Sequence, residues 1–225
     1  MFVGQSMTRK VITVSKEMSL LEARALMHEN DIRHLPVVEA DNLLVGILTD
    51  RDVRAALPFK LARGESDPQE QKKVKHLRVA DVMTVRPVTI SPTHTLQDAL
   101  LLIQERRVGA FPVVDELGRL KGIVSVRDLL RAFINVLGIG EPGTLLCVLV
   151  ENKLGQMKRI VDAVNEEGIS LGSVLVARYW EKDKRAVFPY LLTNNVIRIK
   201  KKLREMGFEL LDPMQWYLDQ LPKPE

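Results

Sequence analysis

Two short stretches of the sequence combine a hydroxyl, a guanidinium and a carboxylate at the same spacing. Thr49-Asp50-Arg51-Asp52 comes three residues after Gly46, and Ser125-Val126-Arg127-Asp128 comes three residues after Gly122. A carboxylate accepts hydrogen bonds from ribose hydroxyls, and a guanidinium binds phosphate in a fork. The two stretches therefore predict a pair of sites for a ligand that carries a ribose and phosphate.

The same residues also have a purely structural explanation. An acidic residue three positions after a Thr or Ser that begins a helix forms a capping box, which satisfies the first helix amides without a ligand. Those amides and the helix dipole favour negative charge at the same place. From spacing alone, helix capping and ligand binding explain Asp52 and Asp128 equally well.

The two stretches belong to an internal repeat with a period of 76 residues. Without a gap, this shift superposes Pro36-Val37-Val38 on Pro112-Val113-Val114 and Arg51-Asp52 on Arg127-Asp128. Each copy predicts an extended lead-in, a helix capped by Ser19 or Thr95, two strands and a second helix. The predicted strands are 35–38 and 44–48 in the first copy, and 111–114 and 120–124 in the second. Two such units would pack their sheets together to bury both apolar faces.

The repeat resembles the cystathionine-β-synthase-type (CBS) domain family over residues 1 to about 135. The resemblance rests on the two stretches above and on the segments 34–38 and 110–114. It implies a regulatory role, with an adenine nucleotide of the AMP, ADP or ATP class bound in the cleft of the pair. The predicted nucleotide-binding residues are Thr13, His34, Leu35, Pro36, Thr49, Arg51, Asp52, Thr89, Ala110, Phe111, Pro112, Ser125, Arg127 and Asp128.

Within this set, Leu35-Pro36 and Phe111-Pro112 are expected to form the apolar walls for adenine. Arg33 and His34 add candidates for phosphate binding beside Arg51 and Arg127. Because Gly109-Ala110 stands in the second copy where the first has Arg33-His34, the two sites are expected to differ in affinity, and the charged one to prefer more phosphates. In similar CBS domains one of the two sites is often empty.

The last third of the chain predicts a different unit. Strands are expected at 144–150, 169–178, 185–192 and 208–211, and helices at 154–167 and from Asn194 or Asn195 to 206, which gives the order βαββαβ of a ferredoxin-like fold. With the turn at 151–157, this plan resembles an ACT domain. The resemblance implies a small-ligand turn at Asn152, Leu154, Gly155 and Met157; the alternative is a dimerisation module without a ligand, because Leu154 replaces a frequent proline.

The predicted fold class is therefore α+β, with five successive parts. These are a first CBS domain at 1–60, an exposed insertion at 61–79, a second CBS domain at 80–137, a linker at 138–143 and an ACT-like domain at 144–220. This order resembles bacterial proteins of the acetoin-utilisation protein B type, which implies a role near acetoin or central carbon metabolism. A homodimer and an unidentified regulated protein are the expected partners.

Composition and motifs narrow the function classes. No apolar run approaches the length of a membrane span, so a cytoplasmic protein is expected. The 33 basic residues are nearly matched by 29 acidic ones, which disfavours nucleic acid as a partner. No nucleophile elbow, phosphate-binding glycine loop or metal-ligand spacing occurs, and the single Cys147 is expected in a buried strand. The sequence thus predicts that the protein is not an enzyme and that it needs no metal or cofactor. The alternatives to a nucleotide sensor are a ligand-free scaffold and, less favoured, a DNA-linked regulator.

Overall fold

The computed structural model describes residues 1–57, 75–181 and 183–212, without the side chains of residues 179–181. The chain divides into two compact units, Met1–Leu130 and Arg131–Glu225. In the described residues, no helix is both long enough and apolar enough to span a membrane.

The first unit contains both copies of the repeat. In the first copy the elements are α1 (Val3–Ser6), α2 (Leu20–Glu29), β1 (His34–Val38), a 3-10 turn (Ala40–Asn42), β2 (Leu44–Thr49) and α3 (Asp50–Ala56). In the second they are a 3-10 turn (Val79–Asp81), β3 (Thr84–Val85), α4 (Leu96–Arg106), β4 (Ala110–Val114), β5 (Leu120–Ser125) and α5 (Val126–Leu137), which continues past residue 130. The predicted pattern of helix, two strands and helix is present twice.

The two hairpins repeat each other in register. β1 pairs antiparallel with β2 and β4 with β5, and both hairpins have an irregularity after Val37 or Val113. Each lead-in forms a parallel bridge to its hairpin, at Val14 or Ile90. Pro36 and Pro112 are third in their strands, each one place later than in the predicted strand. Proline is accommodated there because the hydrogen bond to the lead-in uses its carbonyl oxygen and needs no amide from it. The amides of Val14 and Ile90 donate to the carbonyls of Pro36 and Pro112, both at 3.1 Å.

The segments before the lead-ins are exchanged between the two copies. The amide of Val3 donates to the carbonyl of His94 at 2.8 Å, and 76 residues later the amide of Val79 donates to Met18 at 2.9 Å. Likewise, Thr8 bridges to Ile123 in β5, while β3 pairs with β2 at Gly46 and Ile47. Each hairpin is thus completed by chain from the opposite copy.

The core of the first copy is aliphatic and includes chain from before the predicted insertion and from its carboxyl-terminal end. Leu20, Leu35, Leu48 and Val79 have no exposed area. Leu57 is buried in the same cluster, and Leu77 packs against it. The segment predicted to be exposed between them lies mostly outside the described residues.

The second unit follows the predicted order except that the first strand, expected at 144–150, is divided into two, and the ends of other elements are shifted. Its elements are β6 (Thr144–Leu145), β7 (Cys147–Glu151), α6 (Gln156–Glu166), β8 (Leu171–Glu181), β9 (Lys184–Leu191), α7 (Ile197–Glu205) and β10 (Glu209–Leu211). The main sheet is antiparallel in the order β10-β7-β9, with β6 and β8 both paired to β9. Val148, Ile160, Val187, Ile199 and Leu203 are among the buried residues of its core.

Two helix starts differ from the sequence expectation. α6 begins at Gln156 because Gly155 precedes it with φ of +85°, a conformation that glycine adopts without steric cost. α7 begins at Ile197 after Val196, and no side chain caps it. The predicted cap residue Asn195 instead donates its amide to the hydroxyl of Thr193 at 3.1 Å, which places it in a local turn before the helix.

Candidate functional site

A cleft of about 480 Å³ lies in the first unit, where chain from both copies of the repeat meets. Its volume is in the range of roughly 300–1,000 Å³ that small-molecule sites have. The lining residues come from the hairpin and α3 of the first copy and from the lead-in and the α4–β4 turn of the second. They are Arg33, His34, Ile47, Thr49, Asp50, Arg51, Asp52, Arg54, Thr84, Arg86, Pro87, Val88, Arg107, Val108, Gly109 and Ala110.

Thr49 and Asp52 form a complete capping box at the start of α3. One carboxylate oxygen of Asp52, Oδ2, accepts hydrogen bonds from the Thr49 amide at 3.0 Å and the Thr49 hydroxyl at 2.7 Å. The Asp52 amide donates back to the hydroxyl at 3.3 Å. Capping and ligand binding are compatible here, because the box uses Oδ2 and leaves Oδ1 as an acceptor on a side chain that lines the cleft.

The capping box recurs at helix starts outside this cleft. Thr95 and Asp98 form it at the start of α4, with hydrogen bonds of 2.8, 2.7 and 3.1 Å. Ser125 and Asp128 form it at the start of α5, with 2.9, 2.6 and 3.3 Å. The motif alone therefore identifies a helix start, and the cleft is what distinguishes Asp52 from Asp98.

His34 lines the cleft and lies against the backbone of the other copy. A methyl group added at Gly109 would lie 3.2 Å from Nε2 of His34. The imidazole therefore packs directly against this glycine of the second copy. Burial lowers the pKa of His34 below its usual value, and the positive charge of Arg33 lowers it further. The neutral imidazole can donate or accept one hydrogen bond to a ligand.

The cleft carries an excess of positive charge. Five arginines line it, against the carboxylates of Asp50 and Asp52. Arg54 pairs with Asp50 one helical turn away. Within the described parts of the chain, none of the other four, Arg33, Arg51, Arg86 and Arg107, is in an ion pair. All four residues are exposed, so their guanidinium groups are donors that a ligand can reach.

The structure brings together only part of the predicted first site. His34, Thr49, Arg51, Asp52 and Ala110 line the cleft. The expected adenine walls do not: the side chains of Leu35 and Phe111 have no exposed area and belong to the core. Pro36 and Pro112 are buried, while Thr13 and Thr89 are half-buried outside the lining.

Sequence reasoning missed the contribution of the second lead-in. Pro87 and Val88 supply apolar surface to the cleft together with Ile47, and Arg86 and Arg107 supply charge. The superposition at 76 residues gave no signal for them, because these positions hold different residues in the two copies. Pairing of β3 with β2 carries Arg86, Pro87 and Val88 to the first copy, and Arg107 reaches it from the end of α4.

The remaining predicted residues form the equivalent region of the second copy. Ser125, Arg127 and Asp128 occupy the positions of Thr49, Arg51 and Asp52, and Asp128 is bonded to Ser125 through its Oδ2. Here, however, Arg127 lies 3.9 Å from the carboxylate of Asp31. Asp31 is the position equivalent to Arg107, so the two regions differ in charge at corresponding places.

In the second unit, the predicted ligand turn borders a shallow cleft of about 180 Å³. Leu154, Gly155 and Met157 line it, whereas Asn152 does not. Arg185 also lines it, and its Nε is the one buried side-chain nitrogen or oxygen without a hydrogen-bond partner in the described residues. Leu154 is fully exposed, so the turn presents an apolar side chain to solvent.

Comparisons with known proteins match the first unit. The family model of the CBS domain matches residues 3–58 and 79–135, together half of the chain. A CBS domain-containing protein of Dictyostelium discoideum is 36% identical over 137 residues, which is 60% of this chain and 92% of that protein.

Solved structures cover a similar share of the chain. CBSX2, a protein of Arabidopsis thaliana whose structure in complex with AMP is known, is 30% identical with a TM-score of 0.51, covering 59% of this chain and 96% of that one. A putative acetoin utilization protein of Vibrio cholerae is 29% identical with a TM-score of 0.52, covering 62% and 96%. With its two matched repeats and their paired hairpins, the chain belongs to the CBS-domain family.

Proposed function

We propose that this protein is a regulatory sensor that binds an adenine nucleotide in the cleft around Thr49 and Asp52. The observation that carries the proposal is the coincidence of three features in one cleft. Asp52 keeps one oxygen outside its capping box, apolar side chains line the same cleft, and so do guanidinium groups that form no ion pair among the described residues. A nucleotide needs an acceptor for ribose, a flat apolar surface for the base and cations for phosphate.

The base is assigned to the apolar part of the lining. Ile47 from β2 and Pro87-Val88 after β3 provide carbon surface, and Val88 is 37% exposed. Ribose hydroxyls would donate to Oδ1 of Asp52, with the Thr49 hydroxyl next to them. Phosphates would lie toward Arg51 and the other arginines of the lining. The AMP bound by CBSX2, a structure of the same pair of domains, supports this ligand class.

Isothermal titration calorimetry with AMP, ADP and ATP tests the proposal, using wild type, Asp52→Asn and Asp98→Asn. The first substitution keeps the size of the side chain but removes the anionic acceptor. Asp98→Asn is a matched control, because Asp98 makes the same capping box outside the cleft. Binding to wild type and Asp98→Asn that is lost in Asp52→Asn supports the assignment.

Binding should also raise the melting temperature by the amount that the measured affinity dictates, since a ligand that binds only the folded state stabilises it. The nucleotide should be recovered unchanged after incubation, which distinguishes a sensor from a catalyst. If wild type binds no adenine nucleotide, the pair of repeats is instead a ligand-free scaffold for dimerisation or interaction.

The second unit is proposed to be an ACT-like module that responds to the nucleotide or to a partner protein. The strand order of its sheet and the turn before α6 support this assignment. The similarity to the putative acetoin utilization protein of Vibrio cholerae supports a role in acetoin or related carbon metabolism. A ligand changes the state of such a protein only if it binds one arrangement more tightly than another. Small-angle scattering with and without nucleotide would detect that change.

A further inference from the structure

The two equivalent regions of the CBS pair carry different charge at corresponding positions. Arg107 ends α4 in the left-handed conformation, with φ of 53°, and Asp31 follows α2 in the same conformation, with φ of 49°. They lie 76 residues apart, which is the period of the repeat. The same backbone position thus offers a cation to the first cleft and an anion to the equivalent region of the second copy.

Two other arginines of the first cleft have uncharged counterparts in the second copy. Arg54 corresponds to Leu130 and Arg33 to Gly109, whereas Arg86 corresponds to Lys10, which keeps the charge without the planar fork of a guanidinium. The region around Asp128 therefore has less positive charge at these positions than the first cleft.

The arginines of the two regions also differ in their partners. In the first cleft Arg86 and Arg107 are in no ion pair within the described residues, whereas Arg127 of the second copy faces Asp31 at 3.9 Å. The guanidinium groups of Arg86 and Arg107 are therefore available to a ligand, whereas Arg127 has a carboxylate nearby.

We propose that the first cleft selects a polyphosphate form of the nucleotide, and that Arg86 and Arg107 determine this selectivity. The inference rests on the proposed function and names the ligand class for the same site. A monophosphate can neutralise one or two guanidinium groups, while a triphosphate chain can reach groups contributed by α3, the second lead-in and the α4–β4 turn. Each charge-assisted hydrogen bond gained in this way strengthens binding.

The region around Asp128 is assigned the opposite preference. Asp31 places a negative charge 3.9 Å from Arg127, which disfavours phosphate there, so this region would favour a neutral or cationic adenosine compound. Only the first cleft would report on the phosphorylation state of the nucleotide.

The test is calorimetry of the full chain with adenosine, AMP, ADP and ATP. For wild type we expect ATP to bind at least about 10-fold more tightly than AMP, the gain from one or more additional charge-assisted contacts. In Arg107→Asp and in Arg86→Gln, ATP affinity should fall by about 10-fold or more and AMP affinity by a smaller factor, so the preference for ATP over AMP decreases. Arg106→Asp is the control, because Arg106 is the neighbouring residue and lies outside the lining.

A second measurement needs no variant. Inorganic tripolyphosphate should displace ATP from the wild-type protein at concentrations at which orthophosphate does not. Equal affinity for AMP and ATP, or equal loss in Arg107→Asp and Arg106→Asp, would overturn the selectivity and leave the sensor assignment intact. Failure of every adenine compound to bind would overturn the sensor assignment together with this inference.

Discussion

Val3 and Val79 occupy equivalent positions 76 residues apart, and both are completely buried. Val3 lies against the second copy of the repeat, and Val79 lies against the first. Their amides make matching hydrogen bonds, to His94 at 2.8 Å and to Met18 at 2.9 Å. The two copies are therefore not independent folding units, because each lacks a core side chain and a strand partner without the other.

This exchange predicts that a change near the amino terminus destabilises the second copy. Val3→Ala removes buried apolar surface and leaves a cavity, so the free energy of unfolding should fall by about 1–3 kcal/mol. Chemical denaturation measures the change. Val85→Ala is the control, since Val85 is 60% exposed, and should have a small effect. Equal stability of wild type and Val3→Ala would show that the amino-terminal segment is not part of the folded core.

A second prediction concerns the close contact between each hairpin and the exchanged segment. A methyl group at Gly122 would lie 2.6 Å from the sulfur of Met7 and 2.9 Å from the carbonyl oxygen of Thr8. The methionine can move, but the backbone oxygen is held by the hydrogen bond from Ile123 at 3.0 Å. Gly122→Ala should therefore destabilise the protein by about 1–3 kcal/mol.

Gly46→Ala should behave in the same way, because a methyl group there would meet the sulfur of Met83 at 2.7 Å and the carbonyl of Thr84 at 3.0 Å. Gly140→Ala is the matched control, as nothing lies within 4 Å of its added carbon. Comparison of the three melting temperatures measures the effect. If Gly122→Ala and Gly140→Ala melt together, the exchanged segment does not pack on the hairpin in solution.

Much of the first unit was predictable because its signals are local or repeated. Helix caps at Ser19, Thr49 and Thr95 follow from residue type and spacing, and the matched hairpins follow from the internal repeat. The position of Asp52 in the candidate site follows from the same cap and the same repeat. These features depend on a few neighbouring residues, so the sequence contains them directly.

The rest of the site depends on contacts between distant parts of the chain. Leu35 was expected in a ligand wall because it adjoins Pro36, but its side chain belongs to the core, on the face that alternation along β1 gives it. Arg86 reaches the cleft next to the exchanged strand β3, and Arg107 does so from the end of α4; no local pattern encodes either placement. The internal repeat gives no signal for these two arginines, since both positions hold different residues in the two copies.

The third prediction concerns the single cysteine, which lies half-buried in β7. Burial raises the pKa of the Cys147 thiol, which lowers the fraction of reactive thiolate near neutral pH. Alkylation by iodoacetamide at about pH 8, close to the usual thiol pKa, should therefore be slower in the folded protein than in the chain unfolded by guanidinium. Because the chain has one cysteine, the mass of the product reports on this thiol alone. Equal rates in both states would contradict the burial.

The last prediction follows from the lowered pKa of His34. Burial and Arg33 disfavour the imidazolium in the folded protein, although Asp52 and Asp50 oppose this effect. The unfolded chain, in which the pKa is near 6.5, therefore binds more protons once the pH falls to that range. The free energy of unfolding should accordingly decrease as the pH is lowered through about 6.5, until the folded protein also becomes protonated.

Urea denaturation of wild type and His34→Gln between about pH 5 and pH 8, a range that brackets the usual histidine pKa, isolates this contribution. Wild type should lose stability on acidification more steeply than His34→Gln, because glutamine takes up no proton. His28→Gln, which replaces an exposed histidine on α2, should retain the wild-type slope. Parallel curves for wild type and His34→Gln would mean that the imidazole is solvated and does not pack against Gly109. A steeper wild-type curve that flattens when ATP is present would further indicate that bound phosphate stabilises the imidazolium, since a nearby anion raises the pKa of histidine.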